Sequence, residues 1–404
     1  MKPRLVLVLN HYALPRSQGG GTRHVEMFGQ LTGWETLIVA TSRHHTTQDV
    51  FRTDDPRFRL VSTPHYTNNG AARVLGWLVY AVQAVMIGLT VRRPSAVYAS
   101  SPHLLALVAG AVVATFRRAP LIVEIRDLWP ESMVSAGLMA AGSPLHRVLS
   151  TVERFAYQRA DHIVAVTSGW DAYFASLGVP KDRITVVPNG CDTSDFAVSQ
   201  SRAELRKAWG ITGTTAVFAG SHGPKDGIDL VLDAACEVPH VQFLLVGSGS
   251  AKTPAMARVA KDGLMNVRFE SLIPKSELAQ LLHACDIGLH AVAPLTVFDH
   301  GMSPNKLFDY LASGLPVASN ARTPLAAVLD DDQCGRLGAA AELGQCVRDV
   351  ADAPDDVRRR WQDAGRQLVD ERFSRAAAAR KLEVVLEALV VQSARRRRKW
   401  RSAR

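Results

Sequence analysis

The sequence predicts an α/β protein made of two doubly wound domains, each a parallel sheet covered by helices. Three features carry that prediction. Short apolar, β-rich runs alternate with helical patterns, as strands buried on both faces do. The alternation stops once at a polar gap and then restarts. A length of 404 residues exceeds what one ordinary core organises, so two domains are the economical division.

In the first half, Leu5–Asn10, Thr36–Thr41, Ala96–Ser101, Leu121–Asp127, His162–Thr167 and Ile184–Pro188 read as strands. In the second half the strands are Ala216–Gly220, Gln242–Gly247, Val267–Leu272, Ile287–Val292 and Pro316–Asn320. Pro188-Asn189-Gly190 and the polar stretch Asp192–Ser201 break elements and suit a hinge. The expected division is 1–190 and 191–372, then a closing helix at 373–394 and a basic tail at 395–404. In that helix Leu382, Val385/Leu386 and Leu389/Val390 recur at helical spacing, and it is expected to cross back onto the first domain. Val74–Val91 is almost uncharged and sits at the lower limit for a bilayer span. Its glycines, Tyr80, Gln83 and the basic residues at both ends (Arg73, then Arg92 and Arg93) favour a buried or interface-seated helix instead. Leu104–Phe116 is too short to span and reads as core.

Apolar residues make up 47% and charged residues 21% of the chain, a globular balance that excludes wholesale disorder. Five scattered cysteines without a C-x-x-C pair argue against a disulfide framework or a zinc site. The chain runs from a short basic start into a strand without a secretory pattern, so a reducing, cytoplasmic compartment is expected. The net charge of +9 suggests nucleic acid until it is located: Arg395, Arg396, Arg397, Arg398, Lys399, Arg401 and Arg404 carry seven of those charges, leaving about two for the body. The tail reads either as a solvated segment or as a contact for anionic inner-leaflet lipid.

Ligands of open α/β sheets bind beyond the carboxyl ends of the strands, so the loops there are the places to search. After the first strand, Gly19-Gly20-Gly21 precedes a helix and offers main-chain amides to an anion. The fifth strand runs into Arg126-Asp127-Leu128-Trp129-Pro130, which places two charges at a strand end. In the second domain, Gly220 to Gly227 with Lys225 follows the first strand and can meet a phosphate. The segment Ser303 to Pro316 is the most informative. Ser-Pro-Asn opens a helix, Gly-Leu-Pro closes it, and Lys306 and Asp309 share one face. It reads either as a plain amphipathic helix with a surface ion pair or as a helix terminus set on a diphosphate, with Asp309 reaching sugar hydroxyls.

Asp127-Leu128-Trp129-Pro130, Val187-Pro188-Asn189-Gly190-Cys191-Asp192 and Pro304-Asn305-Lys306-Leu307-Phe308-Asp309-Tyr310, with Gly314 and Pro316, together resemble the retaining GT-B glycosyltransferases of family 4. Order and spacing match over almost the whole chain, and the nearest likeness is to bacterial surface-polysaccharide enzymes, including an N-acetylfucosamine transferase-like branch. The resemblance implies two Rossmann-like domains facing a cleft, the first taking the acceptor and the second a nucleotide-diphosphate sugar, with UDP the expected nucleotide. It implies transfer with retention to a polyprenyl-linked or glycan acceptor, by an enzyme in the cytoplasm or peripheral on the inner membrane face. Arg126, Asp127, Lys225 and Lys306 take the catalytic positions. Gly20, Gly21, Gly220, Ser221, Gly247, Ile273, Ser303, Pro304, Asn305, Leu307 and Asp309 take the donor-binding ones, Asp309 holding the ribose as the second acid of E-x7-E. The first acid of that motif falls at Gly301. Ser221 stands where the family has arginine, Asp226 where it has lysine and Arg126 where it has histidine.

Charge developing on a departing nucleoside diphosphate needs a metal or fixed positive groups. The only D-x-D match, Asp330-Asp331-Asp332, follows a helical pattern and reads as a solvated turn. Transfer without metal or other cofactor is therefore the expectation, with Gly20, Lys225, Lys306 and helix N-termini on the diphosphate. The rivals are a nucleotide-sugar epimerase of the same fold, a pyridoxal-phosphate-dependent phosphorylase, and a basic-tailed scaffold for nucleic acid or membrane. Nucleic acid is the weakest, because the tail holds one aromatic, Trp400, and the body has no basic excess.

Overall fold

The computed structural model of the chain describes residues 3–18, 22–45, 47–67, 70–101, 103–321, 323, 326–331 and 333–402. It contains two compact units: Met1–Val166 with Trp170–Pro188 and Ala378–Arg404, and Thr167–Gly169 with Asn189–Ala377. The first holds β1 (Arg4–Leu9), β2 (Trp34–Thr41), β3 (Phe58–Val61), β4 (Ala96–Ser100), β5 (Leu121–Ile125), β6 (His162–Ala165) and β7 (Ile184–Val186), in the order β3-β2-β1-β4-β5-β6-β7. The second holds β8 (Thr215–Ser221), β9 (Gln242–Ser248), β10 (Val267–Glu270), β11 (Ile287–His290), β12 (Val317–Ser319) and β13 (Gly335–Leu337), in the order β10-β9-β8-β11-β12-β13. Every pairing between these strands is parallel. Both sheets have the doubly wound order, in which the chain reverses direction beside the first strand of the unit.

β1, β4, β5 and the first five residues of β8 are buried almost throughout, which is why they appear as continuous apolar runs. β3 and β13 lie at sheet edges, are three or four residues long and carry exposed Arg59 and Arg336. The sequence pattern misses both for that reason.

Leu104–Arg117 is the core helix expected, with eight of its residues buried. Ala71–Thr90 is not. It buries only Gly76, Tyr80, Ala84 and Gly88, and at Gly88 the missing side chain lets the helix Leu104–Arg117 approach closely. A Cβ on Gly88 would lie 2.6 Å from Val113 Cγ2. Six large apolar side chains point the other way, so of the expected buried or interface-seated helix the buried alternative is corrected: its outer face is bare.

The last helix, Arg375–Ser402, runs past the expected end at 394 into the arginine stretch. Arginine and lysine are good helix formers, and neither glycine nor proline interrupts them. Its Ala378, Ala379, Leu382, Val385, Leu386 and Leu389 join the cluster that contains Val6, Val8, Met27 and Tyr98. Leu382 is fully buried there. Leu382→Ala should lower unfolding stability by about 2–5 kcal/mol, read as a leftward shift of the urea midpoint of the first unit.

Candidate functional site

In the second unit a cavity of about 440 Å3 opens at the carboxyl ends of the strands. Gly220, Ser221 and Lys225 line it from the end of β8 and the loop beyond, Leu272 and Ile273 from beyond β10, and Ser303, Pro304, Asn305, Lys306 and Asp309 from the start of the helix Asn305–Ala312. That helix opens without a side-chain cap, so its first amides are donors available to an anion. Asn189 braces the approach to it: its N–H donates to Ser303 Oγ at 2.8 Å and its Nδ2 to Ser303 O at 2.6 Å.

Asp226 organises the cationic side. Its Oδ2 accepts from Ser221 Oγ at 2.6 Å and from the Gly223 N–H at 3.0 Å, and its Oδ1 from Lys306 Nζ at 3.2 Å. The Lys306 ammonium also stands 3.8 Å from the centre of the Phe218 ring, a cation–π contact. Burial lowers the Lys306 pKa, and Asp226 offsets part of that. Lys225 is exposed on the same loop.

Asp309 faces the cavity. Burial raises its pKa to about 6, against the opposing pull of Lys275 and Arg375. No hydrogen-bond partner for its carboxylate is found among the described residues, leaving both oxygens to accept from a ligand. Two of the expected donor residues do other work. Leu307 is fully buried in the core cluster with Leu281 and Phe308, on the face of the helix opposite the cavity. Gly247 lies behind Gly220, with φ +146° and no room for a Cβ against Gly220 O. It spaces β9 from β8 and does not line the cavity.

The first unit carries the remaining expected positions at the carboxyl ends of its own strands. Arg126 is half-buried, its N–H donating to Ser101 Oγ at 2.9 Å, and Asp127 beside it is exposed. Gly20 and Gly21 lie outside the described residues. Two constellations there escaped the sequence reading. His24 Nε2 meets Glu124 Oε2 at 2.6 Å, Arg23 Nε donates to Glu124 Oε1 at 3.0 Å, and Ser100 Oγ donates to Glu124 Oε2 at 2.6 Å. Asn10 Nδ2 meets His24 Nδ1 at 2.9 Å. The amide group can only donate, so Nδ1 accepts and the proton sits on Nε2, facing Glu124. Burial works against the Glu124 charge, yet His24 and Arg23 outweigh it and hold the carboxyl well below its usual range.

The second constellation is aromatic. His11 Nδ1 and His103 Nε2 are hydrogen-bonded at 2.9 Å, His11 stacks on Tyr12 and Tyr80, and Trp77 stacks on His103 and donates to Tyr12 Oη at 2.7 Å. Burial lowers the His11 pKa to about 3 and that of His103 well below the usual value, so both rings are neutral. The available signal was position: each histidine lies just beyond a strand that feeds the ligand edge.

Among the described residues no group of three or more His, Cys, Asp or Glu is placed to hold a metal ion. Asp330 and Asp331 end the short helix Val328–Asp331, and Asp332 lies outside the described residues.

Residues 24–190 match the glycosyl transferase 4-like domain, and residues 213–353 match the glycosyl transferases group 1 domain. The first unit thus holds a stretch that matches a glycosyl transferase 4-like domain, and the second a stretch that matches a glycosyl transferases group 1 domain. Among curated proteins it is 24% identical over 200 residues to the probable glycosyltransferase WbjE of Pseudomonas aeruginosa, covering 48% of this chain and 50% of that one. It is 24% identical over 202 residues to the putative teichuronic acid biosynthesis glycosyltransferase TuaH of Bacillus subtilis, covering 49% of each. The chain thus spans about half the length of the curated relatives it matches. Among solved structures, Anabaena HepE in complex with UDP-glucose superposes with TM-score 0.68 at 17% identity, over 95% of this chain and 99% of that one. The two glycosyltransferase domains are therefore built on GT-B architecture, each unit a parallel Rossmann-like sheet.

In the first unit, Glu124 is the one carboxylate among the described residues that pairs with Arg23 and His24, in a dry site. Glu124→Ala should cost about 3–5 kcal/mol of unfolding stability, because it strands a buried cation. Chemical denaturation of the variant measures this.

Proposed function

We propose that the protein is a glycosyltransferase that moves a sugar from a nucleotide-diphosphate sugar, UDP the expected nucleotide, to a polyprenyl-linked or glycan acceptor in cell-surface polysaccharide synthesis. The observation that carries the reading is the cavity of the second unit, where an uncapped helix start and Lys306 adjoin the unpartnered carboxylate of Asp309. A diphosphate needs donors that are fixed before charge develops. Lys306 and the amides of residues 305–307 provide them, with Lys225 free to swing in from the loop. A ribose needs an acceptor-only group for its hydroxyls, and Asp309 is one. Leu272 and Ile273 supply apolar surface for a base. HepE, bound to UDP-glucose in its crystal structure, supports the choice of UDP, and the names of WbjE and TuaH support a bacterial surface glycan.

In this reading Arg126 and Asp127 position the acceptor or the donor sugar, and the ring cluster around His11 and Trp77 gives the acceptor a stacking surface. Retention at the anomeric carbon, by same-face attack assisted by the departing phosphate, rests on the family 4 resemblance. Transfer without a metal rests on the fixed cations. The enzyme is placed in the cytoplasm, peripheral on the inner face of the membrane, with residues 395–404 near anionic lipid.

The test is transfer by the purified chain from a panel of UDP, GDP and TDP sugars to membrane-extracted acceptor. Activity should survive EDTA, and Lys306→Ala should weaken UDP binding by about 10- to 100-fold, the worth of a charge-assisted hydrogen bond. Donor-sugar conversion with no acceptor present would identify an epimerase instead. Loss of activity to EDTA with recovery on adding magnesium would refute the metal-free step.

A pH dependence follows from Asp309. Ribose hydroxyls donate to the ionised carboxylate, so binding lowers its pKa and expels a proton. UDP affinity should therefore fall as pH drops through about 6 and be level above it. Titration calorimetry of wild type beside Asp309→Asn separates this step from titration of the phosphate, since the variant should lack it.

A further inference from the structure

The helix Ala71–Thr90 leaves six large apolar side chains uncovered: Val74 at 51%, Leu75 at 50%, Leu78 at 52%, Val82 at 51%, Met86 at 55% and Leu89 at 37% exposure. At about 100° per residue these fall within an arc of roughly 120°, opposite the buried stripe of Gly76, Tyr80, Ala84 and Gly88. Contiguous apolar surface of this extent on a folded unit marks an interaction site. We propose that this face is an in-plane docking surface for a bilayer rich in anionic lipid.

Two facts select the partner. The first is a second apolar and basic face on the same side of the sheet. Ala156 and Tyr157 of the helix Pro144–Arg159 pack into the same core cluster as Tyr80 and Ala84. Outward from that helix, Val148 at 59% and Phe155 at 50% exposure stand beside exposed Arg147 and Arg154. Leu104–Arg117 lies between and ends in Phe116, exposed by 73%. The second is charge. The three helices contain a single acid, Glu153, and it is buried, while Arg73, Arg93 and Arg118 sit at helix ends. An apolar strip on helices that carry cations and no exposed acid of their own complements lipid tails and anionic head groups together. A second copy of the same face would set cation against cation.

The helix is the one among the described residues long and apolar enough to cross a membrane by length and composition, yet it is anchored along the sheet. Tyr80 Oη donates to Val39 O at 2.8 Å and Gln83 Nε2 to Ser62 O at 2.8 Å. It therefore lies on the bilayer rather than through it. Trp77, on the second turn, touches Tyr12, His103 and Trp129 at the strand ends. Docking thus sets the ring cluster on the inner side of the helix, about one helix diameter from the lipid surface.

The test is co-sedimentation of the full chain with phosphatidylglycerol–phosphatidylcholine vesicles and with phosphatidylcholine alone. Wild type should bind the anionic vesicles preferentially. Leu78→Glu/Val82→Glu/Met86→Glu should reduce the bound fraction more than tenfold with circular dichroism and UDP affinity unchanged, whereas truncation after Ser393 should reduce it less. Met86→Cys, labelled with a polarity-sensitive dye in a Cys236→Ser background, should shift to the blue on adding anionic vesicles. The proposal falls if the triple variant sediments like wild type, if truncation alone abolishes binding, if the dye emission does not move, or if ultracentrifugation finds a dimer that the triple variant dissociates.

Discussion

One carboxylate, Asp226, ties the loop after β8 to the helix that carries Lys306 and Asp309. It accepts from a hydroxyl and a main-chain amide of its own loop and from the lysine across the cavity. A mobile lysine would lose considerable side-chain entropy on meeting a ligand. Held between Asp226 and the Phe218 ring, Lys306 has already lost it. The cavity's geometry is therefore largely set before anything enters, which is what stabilising a developing charge demands.

Most strands of both units were legible because parallel sheets bury whole strands, and a run such as Leu5–Leu9 reads as one of them. The segment Ser303–Pro316 was legible because its helix signals coincide with its polar residues. What stayed hidden lacks a one-dimensional trace. β3 and β13 are edge strands with too little apolar content. His11, His24, His103 and Glu124 become a network only when β1, β4 and β5 lie side by side, nearly a hundred residues apart in the chain. The Leu307 side chain turns to the core because a helix directs consecutive residues to different faces, which leaves its main-chain amide alone for a donor. The apolar run at Ala71–Thr90 was seen, but hydropathy alone does not tell which side faces the core. The buried residues at every fourth position, Gly76, Tyr80, Ala84 and Gly88, decide it.

The Glu124 network shows why a buried charge is tolerable in the first unit. Arg23, His24 and Ser100 all direct donors at it, and the Arg23 guanidinium also reaches the carbonyls of Val187 and Pro188 at 2.8 and 2.7 Å. The helix Arg23–Phe28 is thereby fastened both to β5 and to the last residues before the chain leaves the unit.

The charges around the second unit's cavity bear on how it holds an anion. Lys306 and Lys225 supply two positive charges, Asp226 and Asp309 two negative ones when ionised, so the side chains sum to about zero. In a site that relied on lysines alone, Asp226 in place of the family's lysine would be a defect. Here the surplus comes from main-chain dipoles: the uncapped start of Asn305–Ala312 carries roughly half a positive charge, and its amides do not titrate or swing away. Main-chain donors at short range are also screened less by salt than surface lysines are. A cavity of this composition selects a ligand by shape and hydrogen-bond pattern more than by total charge, which suits a diphosphate presented together with a ribose better than a bare polyanion.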